Sequence, residues 1–357
     1  MTNSSEKLDA REIRSAHRAR SEPFVTILVP CRNEREHIIE FLRSLEQQEP
    51  VEGGHEILII DGISDDGTRE LLAKYAPELG GPRIVDNPAR IVSPGLNEGI
   101  RQARGEIILR MDVHTTYAPD YVKSCLRVLQ TTGATNVGGP ARTRSVGYWQ
   151  RAIAAAFASA FAVGPARFHF ESYEGEVDTV TYGCWRKSDL LRIGGFDESL
   201  VRNQDDELNF RIRRSGGIIW QSPEIQSWYY PRSRLSDLFR QYFQYGYWKL
   251  IVMKKHRIPA SWRHLMPPLF LVAIVGLGLA SIFQKYALIA WLALILSYCG
   301  FLVVGSLSIS ARSGWRLLPA ILPTLAVYHF SYAIGIFSSL LPLPTRLVPK
   351  VAKSLSR

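Results

Sequence analysis

The hydrophobic residues of the first half of the chain alternate between short β-type runs and helical stripes. Short apolar runs rich in β-branched residues predict strands at 24–30, 56–61, 83–85 and 106–111. Apolar residues at helical spacing predict helices between them, over 36–48, 69–75 and 96–103. Strands that alternate with helices form parallel sheets through right-handed crossovers, so this half predicts an α/β fold.

The last third of the chain has a different pattern, with long apolar runs. Three runs contain no Asp, Glu, Lys or Arg and are long enough to span a bilayer: 266–283, 286–309 and 317–341. Before them, residues 234–255 mix aromatic, aliphatic and basic side chains, as is typical of a helix at a membrane surface. A core helix with one solvated face is the alternative for that segment. Residues 152–163 are apolar but too short to span, which indicates an interfacial or core helix.

These patterns divide the chain into five segments. They are a disordered polar tail at 1–22, an α/β domain at 23–232, an interfacial helix region at 233–262, about three transmembrane helices within 263–345, and a basic tail at 346–357. The first tail is polar throughout, which is not the pattern of a secretory signal. We expect a multi-pass protein of the inner (plasma) membrane with its α/β domain in the cytoplasm.

The distribution of basic residues fits this three-span topology except in the carboxyl-terminal tail. Those before the first apolar run and between the second and third fit a cytoplasmic side: Lys254, Lys255, Arg257, Arg263, Arg312 and Arg316. Three spans would place the tail opposite, yet it carries four basic residues that favour the cytoplasm: Arg346, Lys350, Lys353 and Arg357. Either the last run is a re-entrant pair or the tail is a tolerated exception, and the sequence leaves this open.

Composition limits the partners. The formal net charge of +10 indicates an anionic partner, such as membrane phospholipid, a phosphorylated substrate or nucleic acid. No zinc-finger spacing or RNA-binding signature is visible, so nucleic acid is not expected. The four cysteines are isolated, which predicts neither a zinc site nor a disulfide framework. The sequence also lacks a GxGxxG motif and a P-loop lysine.

Two aspartates lie where predicted strands end. Asp61 ends the second strand and Asp112 follows the fourth. In open α/β sheets ligands bind beyond the carboxyl ends of the strands. Asp112 and His114 can supply an oxygen and a nitrogen ligand to one divalent cation. The alternative is that Asp112 caps the next segment and His114 is merely polar.

Several short motifs, in the same order along the chain, resemble inverting family 2 glycosyltransferases with the GT-A fold. They lie at 29–34, 60–68, 95–99, 105–114, 183–187, 194–198 and 203–211. Each motif alone is weak, but their combined order is specific. Within the family, the chain is most similar to bacterial exopolysaccharide transferases of the succinoglycan-biosynthesis type.

The resemblance implies a GT-A mixed-sheet α/β domain followed by an α-helical membrane region. It implies a membrane-bound inverting enzyme that moves one sugar from a nucleotide-diphosphate sugar, expected to be a UDP-sugar, to a polyprenyl-diphosphate-linked saccharide in exopolysaccharide biosynthesis. It also implies a divalent cation, Mg²⁺ or Mn²⁺, and the histidine tilts this choice slightly toward Mn²⁺.

The same resemblance assigns site residues. Asp205 is the expected catalytic base, and Asp112 with His114 the expected metal site. Asp206, beside the base, is assigned to capping the helix that follows, although either carboxylate could be that cap. Donor contacts are expected from Pro30, Arg32, Asn33, Glu34, Asp61, Arg90, Asn97 and Asp112. Acceptor contacts are expected from Gln244, Trp248 and Arg186, with surface solvation the alternative for Arg186.

Three departures from the family pattern qualify these assignments. His114 stands where the family usually has a second metal-binding aspartate. In the Glu-Asp-x-Glu-Leu segment, Glu207 and Leu208 fix the register, which places the base at Asp205. Tyr247 replaces the arginine of the Gln-x-x-Arg-Trp motif of processive synthases. A processive polysaccharide synthase and a non-catalytic membrane scaffold remain the alternatives.

Overall fold

The computed structural model describes residues 24–75, 77, 81–257 and 264–341, so the predicted tails at 1–22 and 346–357 lie outside the described residues. The eleven strands are β1 Val25–Cys31, β2 His55–Asp61, β3 Arg83–Asp86, β4 Ile107–Arg110, β5 Thr115–Tyr117, β6 Asn136–Gly139, β7 Arg142–Thr143, β8 Gly175–Glu176, β9 Thr181–Arg186, β10 Ile219–Gln221 and β11 Ser227–Tyr229.

Twelve α-helices lie in the described ranges. They are α1 Ile38–Glu46, α2 Thr68–Tyr75, α3 Val92–Gln102, α4 Tyr121–Thr132, α5 Tyr148–Phe157, α6 Ala160–Val163, α7 Lys187–Ile193, α8 Gln204–Arg214, α9 Leu235–His256, α10 Met266–Ala280, α11 Lys285–Ser313 and α12 Leu318–Ser338. The chain forms two units. The first comprises residues up to Gly138 together with Tyr182–Gly195, and the second comprises Gly139–Thr181 and Phe196 onwards.

The first unit is built on a mixed sheet. Its strands are ordered β3-β2-β1-β4-β9-β6. Strands β1 to β4 pair in parallel, as the alternating pattern predicts, and the register sets Cys31 beside Asp61. Strand β9 runs antiparallel to β4, which makes the sheet mixed as the fold resemblance implies. The carboxyl ends of β1, β2 and β4 therefore lie at one edge of this sheet.

Helix α3 packs unusually closely on that sheet. A Cβ atom on Gly99 would lie 2.9 Å from Ile60 Cδ1 and from Leu28 Cδ2, so only glycine allows this approach. The helix begins at Val92, four residues before the predicted start. Pro94 is tolerated there because backbone N–H groups in the first turn have no intrahelical acceptor.

The second unit contains the paired strands β7–β11 and β8–β10 and the long helices. The predicted helix at 152–163 is two helices, because the Ser159 hydroxyl accepts a hydrogen bond from the Phe161 N–H and starts α6 as a new helix. Side chains from α5, α6, α9, α11 and α12 share one hydrophobic core.

The apolar runs of the carboxyl-terminal region are helical, but not equally long. Within the described residues, two segments are long and apolar enough to cross a membrane, Lys285–Ser313 and Trp315–Ser338. The first predicted run, 266–283, forms the 15-residue helix α10 followed by a turn, so that helix is shorter than predicted.

Helix α9 packs directly on α12. A Cβ atom on Gly246 would overlap the carbonyl oxygen of Tyr332, and one on Gly335 would overlap that of Phe243. Small residues at such positions allow two helix backbones to approach closely. Helix α9 therefore has one face buried in protein, as the core-helix alternative for this segment expects.

Candidate functional site

Two loops at the sheet edge of the first unit are joined by hydrogen bonds. The loop after β1 contains Asn33, and the loop after β2 contains Ser64 and Asp65. The Asn33 amide donates to Asp65 Oδ1 at 2.9 Å and accepts from the Asp65 N–H at 3.0 Å. The Asn33 N–H donates to Ser64 Oγ at 2.9 Å. Asn33 has a φ of 56°, a left-handed conformation that asparagine tolerates. These bonds fix the shape of both loops.

Asp61 anchors the second loop from inside. Its side chain is completely buried, and one carboxylate oxygen accepts the Ser64 N–H at 3.1 Å. Ser64 Oγ donates to the other oxygen. Arg69 Nε lies 3.4 Å from Asp61 Oδ2 and supplies the balancing charge. A nucleobase would reach this carboxylate only after the Ser64 hydrogen bonds opened.

Glu34, in the loop after β1, connects the joined loops to His114. The Glu34 N–H donates to Thr68 Oγ1 at 2.9 Å, which holds its backbone to the first residue of α2, directly after the second loop. Its carboxylate Oε1 lies 3.3 Å from His114 Nδ1. His114 is more than half exposed, at 56% of its side-chain surface. The structure thus places two predicted site residues together at the carboxyl end of β4.

Asp112 is held by a residue that the sequence analysis did not single out. The Arg110 guanidinium donates to both carboxylate oxygens of Asp112, at 2.7 Å and 3.0 Å. The Asp112 N–H donates to Tyr117 Oη at 2.6 Å. Burial, followed by the neighbouring Tyr182 and Asp112, raises the pKa of Tyr117 well above its ordinary value, so it remains a neutral hydroxyl.

These residues offer only part of a metal site. Among the described residues, no cluster of three or more His, Cys, Asp and Glu side chains is arranged to hold a metal ion. A carboxylate oxygen has two lone pairs, so each Asp112 oxygen can bind a cation beside its Arg110 bond, and His114 follows two positions later in the chain. The donor set therefore fits a cation that takes most of its ligands from a bound molecule.

The remaining predicted donor residues lie around the same unit. Arg32 donates to the carbonyl oxygen of Arg90 at 3.3 Å, and Arg90 has a φ of 58°. Asn97 lies against the backbone of Gly195, where a Cβ atom would come within 2.6 Å of Asn97 Oδ1. Pro30 pairs with Ile60 across β1 and β2.

Asp205 and Asp206 lie in the first turn of α8. That helix begins at Gln204, and its N-cap position is Asn203, which has a φ of 60°. The assignment of Asp206 as the cap is therefore wrong, because it is the third residue of the helix and Asn203 holds the cap position. Acidic side chains in a first turn are favoured by the helix dipole. Asp206 instead accepts a hydrogen bond from Lys249 Nζ at 2.7 Å, across to α9.

Further ion pairs join α8 and the loop before it to α9. Glu207 is fully buried; Arg211 donates to its carboxylate at 2.8 Å, and His256 Nε2 lies 2.9 Å from Oε1. Lys255 donates to Asp197 in the preceding loop. Burial raises the pKa of Asp197, but bonds from Lys255 and Ser199 outweigh it, so the pKa lies below its ordinary value.

The three predicted acceptor residues do not lie together in the structure. Gln244 and Trp248 lie one turn apart on the buried face of α9, as their spacing predicts. Trp248 packs against Leu200, and its indole N–H has no hydrogen-bond partner in the described part of the chain. Arg186 is different, because it donates to the carbonyl oxygens of Ala134 and Leu129 near the end of α4. These bonds give Arg186 a structural role, and we leave it out of the acceptor site.

Comparison with known proteins identifies the family. Residues 26–190 match the family described as Glycosyl transferase family 2. The chain is 30% identical over 328 residues to "Succinoglycan biosynthesis protein ExoA" of Rhizobium meliloti (strain 1021), covering 90% of this chain and 96% of that protein. The chain belongs to glycosyltransferase family 2.

Two other comparisons extend along most of this family 2 enzyme. A Methanococcus voltae protein, "Dolichyl N-acetyl-alpha-D-glucosaminyl phosphate 3-beta-D-2,3-diacetamido-2,3-dideoxy-beta-D-glucuronosyltransferase", is 25% identical over 330 residues, 89% of this chain and 97% of its own. The mannosyltransferase PcManGT from Pyrobaculum calidifontis, solved with GDP-Man and Mn²⁺, superposes with a TM-score of 0.60 at 17% identity, over 91% of this chain and 89% of its own. This likeness confirms the GT-A type of fold.

Three residues around the site of this glycosyltransferase were not predicted: Arg110 and Lys249, which bind the predicted Asp112 and Asp206, and His256, which pairs with the buried Glu207. Arg110 is the last residue of β4 and only two residues from Asp112, so the sequence alone offered it as a charge partner. Lys249 and His256 could not be found from the sequence, because their partners on α8 are 43 and 49 positions away in the chain.

Proposed function

We propose that this family 2 glycosyltransferase is membrane-bound and moves one sugar from a nucleotide-diphosphate sugar to a polyprenyl-diphosphate-linked saccharide. The observation that carries the proposal is the attachment of α8, which bears Asp205, to the helical region. Lys249 on α9 bonds to Asp206, and α9 packs on the apolar helix α12. A base held so close to apolar helices suits an acceptor that is anchored in a lipid.

The proposed reaction is a single displacement at the anomeric carbon. Asp205 accepts the proton of the acceptor hydroxyl while its oxygen attacks that carbon. The bond from the anomeric carbon to the diphosphate breaks, the bonding electrons leave with the diphosphate, and the configuration inverts. A positioned base accelerates such a step by typically about 10²–10⁴-fold.

The donor side uses the joined loops of the first unit. The loop carrying Asn33 and Glu34 forms the proposed nucleoside surface, with Asp61 beneath it as the buried anchor of the adjoining loop and Arg32, Arg90 and Asn97 in the same unit. We propose a UDP-sugar as the donor. A divalent cation, Mg²⁺ or Mn²⁺, would be held by Asp112 and His114 and would stabilise the charge of the leaving diphosphate. The mannosyltransferase solved with Mn²⁺ agrees with this choice of cofactor.

The names of two relatives support the proposed pathway, exopolysaccharide biosynthesis, and the proposed lipid-linked acceptor. The Rhizobium protein is named for succinoglycan biosynthesis, and the archaeal protein for transfer to a dolichyl-linked sugar phosphate. We therefore propose a role in exopolysaccharide biosynthesis at the cytoplasmic face of the inner membrane. Tyr247, in place of the arginine of processive synthases, favours transfer of one sugar over chain extension.

Labelled nucleotide sugars test this function. Membranes that contain the protein are incubated with a panel of UDP- and GDP-sugars, with and without Mg²⁺ or Mn²⁺, and the lipids are then extracted. We expect cation-dependent label in the lipid fraction. Long polymer made by the purified protein alone would support a processive synthase instead. A protein that neither incorporates label nor binds a nucleotide sugar would support a scaffold.

A further inference from the structure

Helix α11 consists of two halves with different surroundings. From 285 to 301 none of its side chains is buried. From residue 302 onwards it buries Leu302, Gly305, Ser306, Ile309 and Ser310, and Phe161 lies against Gly305. The first half is apolar, apart from Lys285 at its start, and the second half belongs to the protein core.

Helix α10 pairs with that exposed first half as a hairpin. Trp291 Nε1 donates to the carbonyl oxygen of Ile274 at 3.0 Å, and its ring lies against Gly278. In α10 only Pro268 is buried. The 15 residues of α10 are about 22 Å long, and the 17 residues from 285 to 301 about 25 Å, close to the roughly 30 Å bilayer core. The apolar turn at Ile282 and Phe283 adds to this length.

Helix α12 has different surroundings, although its length and composition also suit a membrane span. Nine of its residues are buried. Its Tyr328 hydroxyl donates to the carbonyl oxygen of Ile153 on α5 at 3.2 Å, and the Tyr328 ring lies 4.4 Å from that of Tyr242 on α9. A Cβ atom on Gly246 would meet the Tyr332 backbone and one on Gly335 the Phe243 backbone, so α9 and α12 lie side by side along this stretch.

The packing of α9 on α12 makes it energetically unfavourable for α12 to cross the bilayer. Tyr328 lies midway along α12, so Tyr242 would lie near the bilayer centre. Lys249 is seven residues further along α9, about 10 Å from that level, and would lie inside a hydrocarbon half-thickness of about 15 Å. Its partner Asp206 would enter the bilayer with it. Charged residues at that depth are strongly disfavoured.

We propose that α10 and the first half of α11 form the membrane-inserted hairpin of this protein, and that α12 does not cross the bilayer. The lipid acyl core is the partner of the hairpin surface, and α8, α9 and α12 lie on one side. With two crossings instead of three, the basic residues that follow α12 in the sequence are no longer required to lie opposite Lys254, Lys255, Arg312 and Arg316. This arrangement removes the charge conflict of a three-span topology. It rests on the membrane attachment in the proposed function.

Cysteine labelling tests the topology. The exposed Cys299 is changed to serine, which leaves three buried cysteines, and single cysteines replace Gln284, Ser313 and Leu341. A membrane-impermeant maleimide is applied to sealed vesicles of both orientations. We expect Ser313→Cys and Leu341→Cys to be labelled from one side and Gln284→Cys from the other. Labelling of Leu341→Cys from the Gln284 side, or of all three from one side, would overturn the proposal.

Charge insertion gives an independent measurement. Val275 lies on the exposed surface of α10 and Leu322 on the exposed surface of α12, and each is replaced by arginine. We expect Val275→Arg to lower the membrane-bound fraction severalfold and Leu322→Arg to leave it near the wild-type level. Equal loss for both variants would contradict the proposal. A wild-type protein that stays in the soluble fraction would instead contradict the proposed membrane attachment itself.

Discussion

Lys249 Nζ lies 2.7 Å from Asp206 Oδ2, although the two residues are 43 positions apart in the chain. Lys249 is nearly buried, with 7% of its side chain exposed, and Asp206 is about one third exposed. Adjacent carboxylates such as Asp205 and Asp206 repel each other, and the ammonium group of Lys249 compensates one of the two charges. Lys249 thus fixes the turn that presents the proposed base.

Removal of that ammonium group is expected to impair catalysis. Lys249→Met leaves Asp206 without this partner, so we predict a fall in kcat of about tenfold, equivalent to about 1.4 kcal/mol. KM for the donor should change little, because the donor residues lie on the first unit. Steady-state kinetics in detergent measure this split. Lys249→Arg, which keeps the charge, should recover most of the activity, and an equal loss in both variants would contradict a positioning role.

Cation binding is expected to depend on the nucleotide. Arg110 binds both oxygens of Asp112, and its positive charge opposes a bare cation there. We predict that Mn²⁺ alone binds weakly and that UDP tightens its binding at least tenfold, as measured by titration calorimetry. Asp112→Asn should abolish this coupling, and His114→Ala should weaken it less. Tight Mn²⁺ binding without nucleotide would contradict the proposed site.

The stability of the protein should depend on pH through Asp197. Its pKa is lowered below the ordinary value of 3.8 because bonds from Lys255 and Ser199 outweigh its burial. A carboxyl group of this kind stabilises the fold above its unfolded pKa, and the stabilisation is lost as the pH falls through the folded pKa. Asp197→Asn should therefore unfold at a lower temperature than wild type at about pH 6, with the difference shrinking below about pH 4.

Thermal unfolding in detergent across this pH range measures that difference. Lys255→Met serves as the partner control and should show the same trend, because it removes the other half of the ion pair. A difference that stays constant, or that grows on acidification, would contradict a stabilising role for ionised Asp197.

The close packing of α9 on α12 should tolerate no added side-chain volume. A Cβ atom on Gly246 would overlap the backbone of Tyr332, so Gly246→Ala is expected to destabilise the protein by about 1–3 kcal/mol. Gly300 on α11 is a matched control, because a Cβ atom there meets nothing within 4 Å. Thermal unfolding and transfer activity are compared for both variants. Equal effects would show that the α9–α12 contact is not critical.

Much of the fold follows from local pattern. The strands β1, β2 and β4 and the positions of Asp61 and Asp112 at strand ends are readable from apolar runs because each run is continuous in sequence. The pairing of Asn33 with Asp65 and of Asp206 with Lys249 is not readable, because it depends on which loops and helices meet in space. For the same reason, the hydropathy of α12 predicts a membrane span, whereas its buried contacts with α5 and α9 are visible only in the structure.

The most direct test of the account is transfer of labelled sugar to membrane lipid by wild-type protein and by Asp205→Asn. We expect cation-dependent label in the extracted lipid for wild type, a loss of about 10²–10⁴-fold for the variant, and unchanged donor binding by both. Asp237→Asn, which alters a carboxylate in the first turn of α9, is the matched control and should stay active. Normal transfer by Asp205→Asn would contradict the central claim.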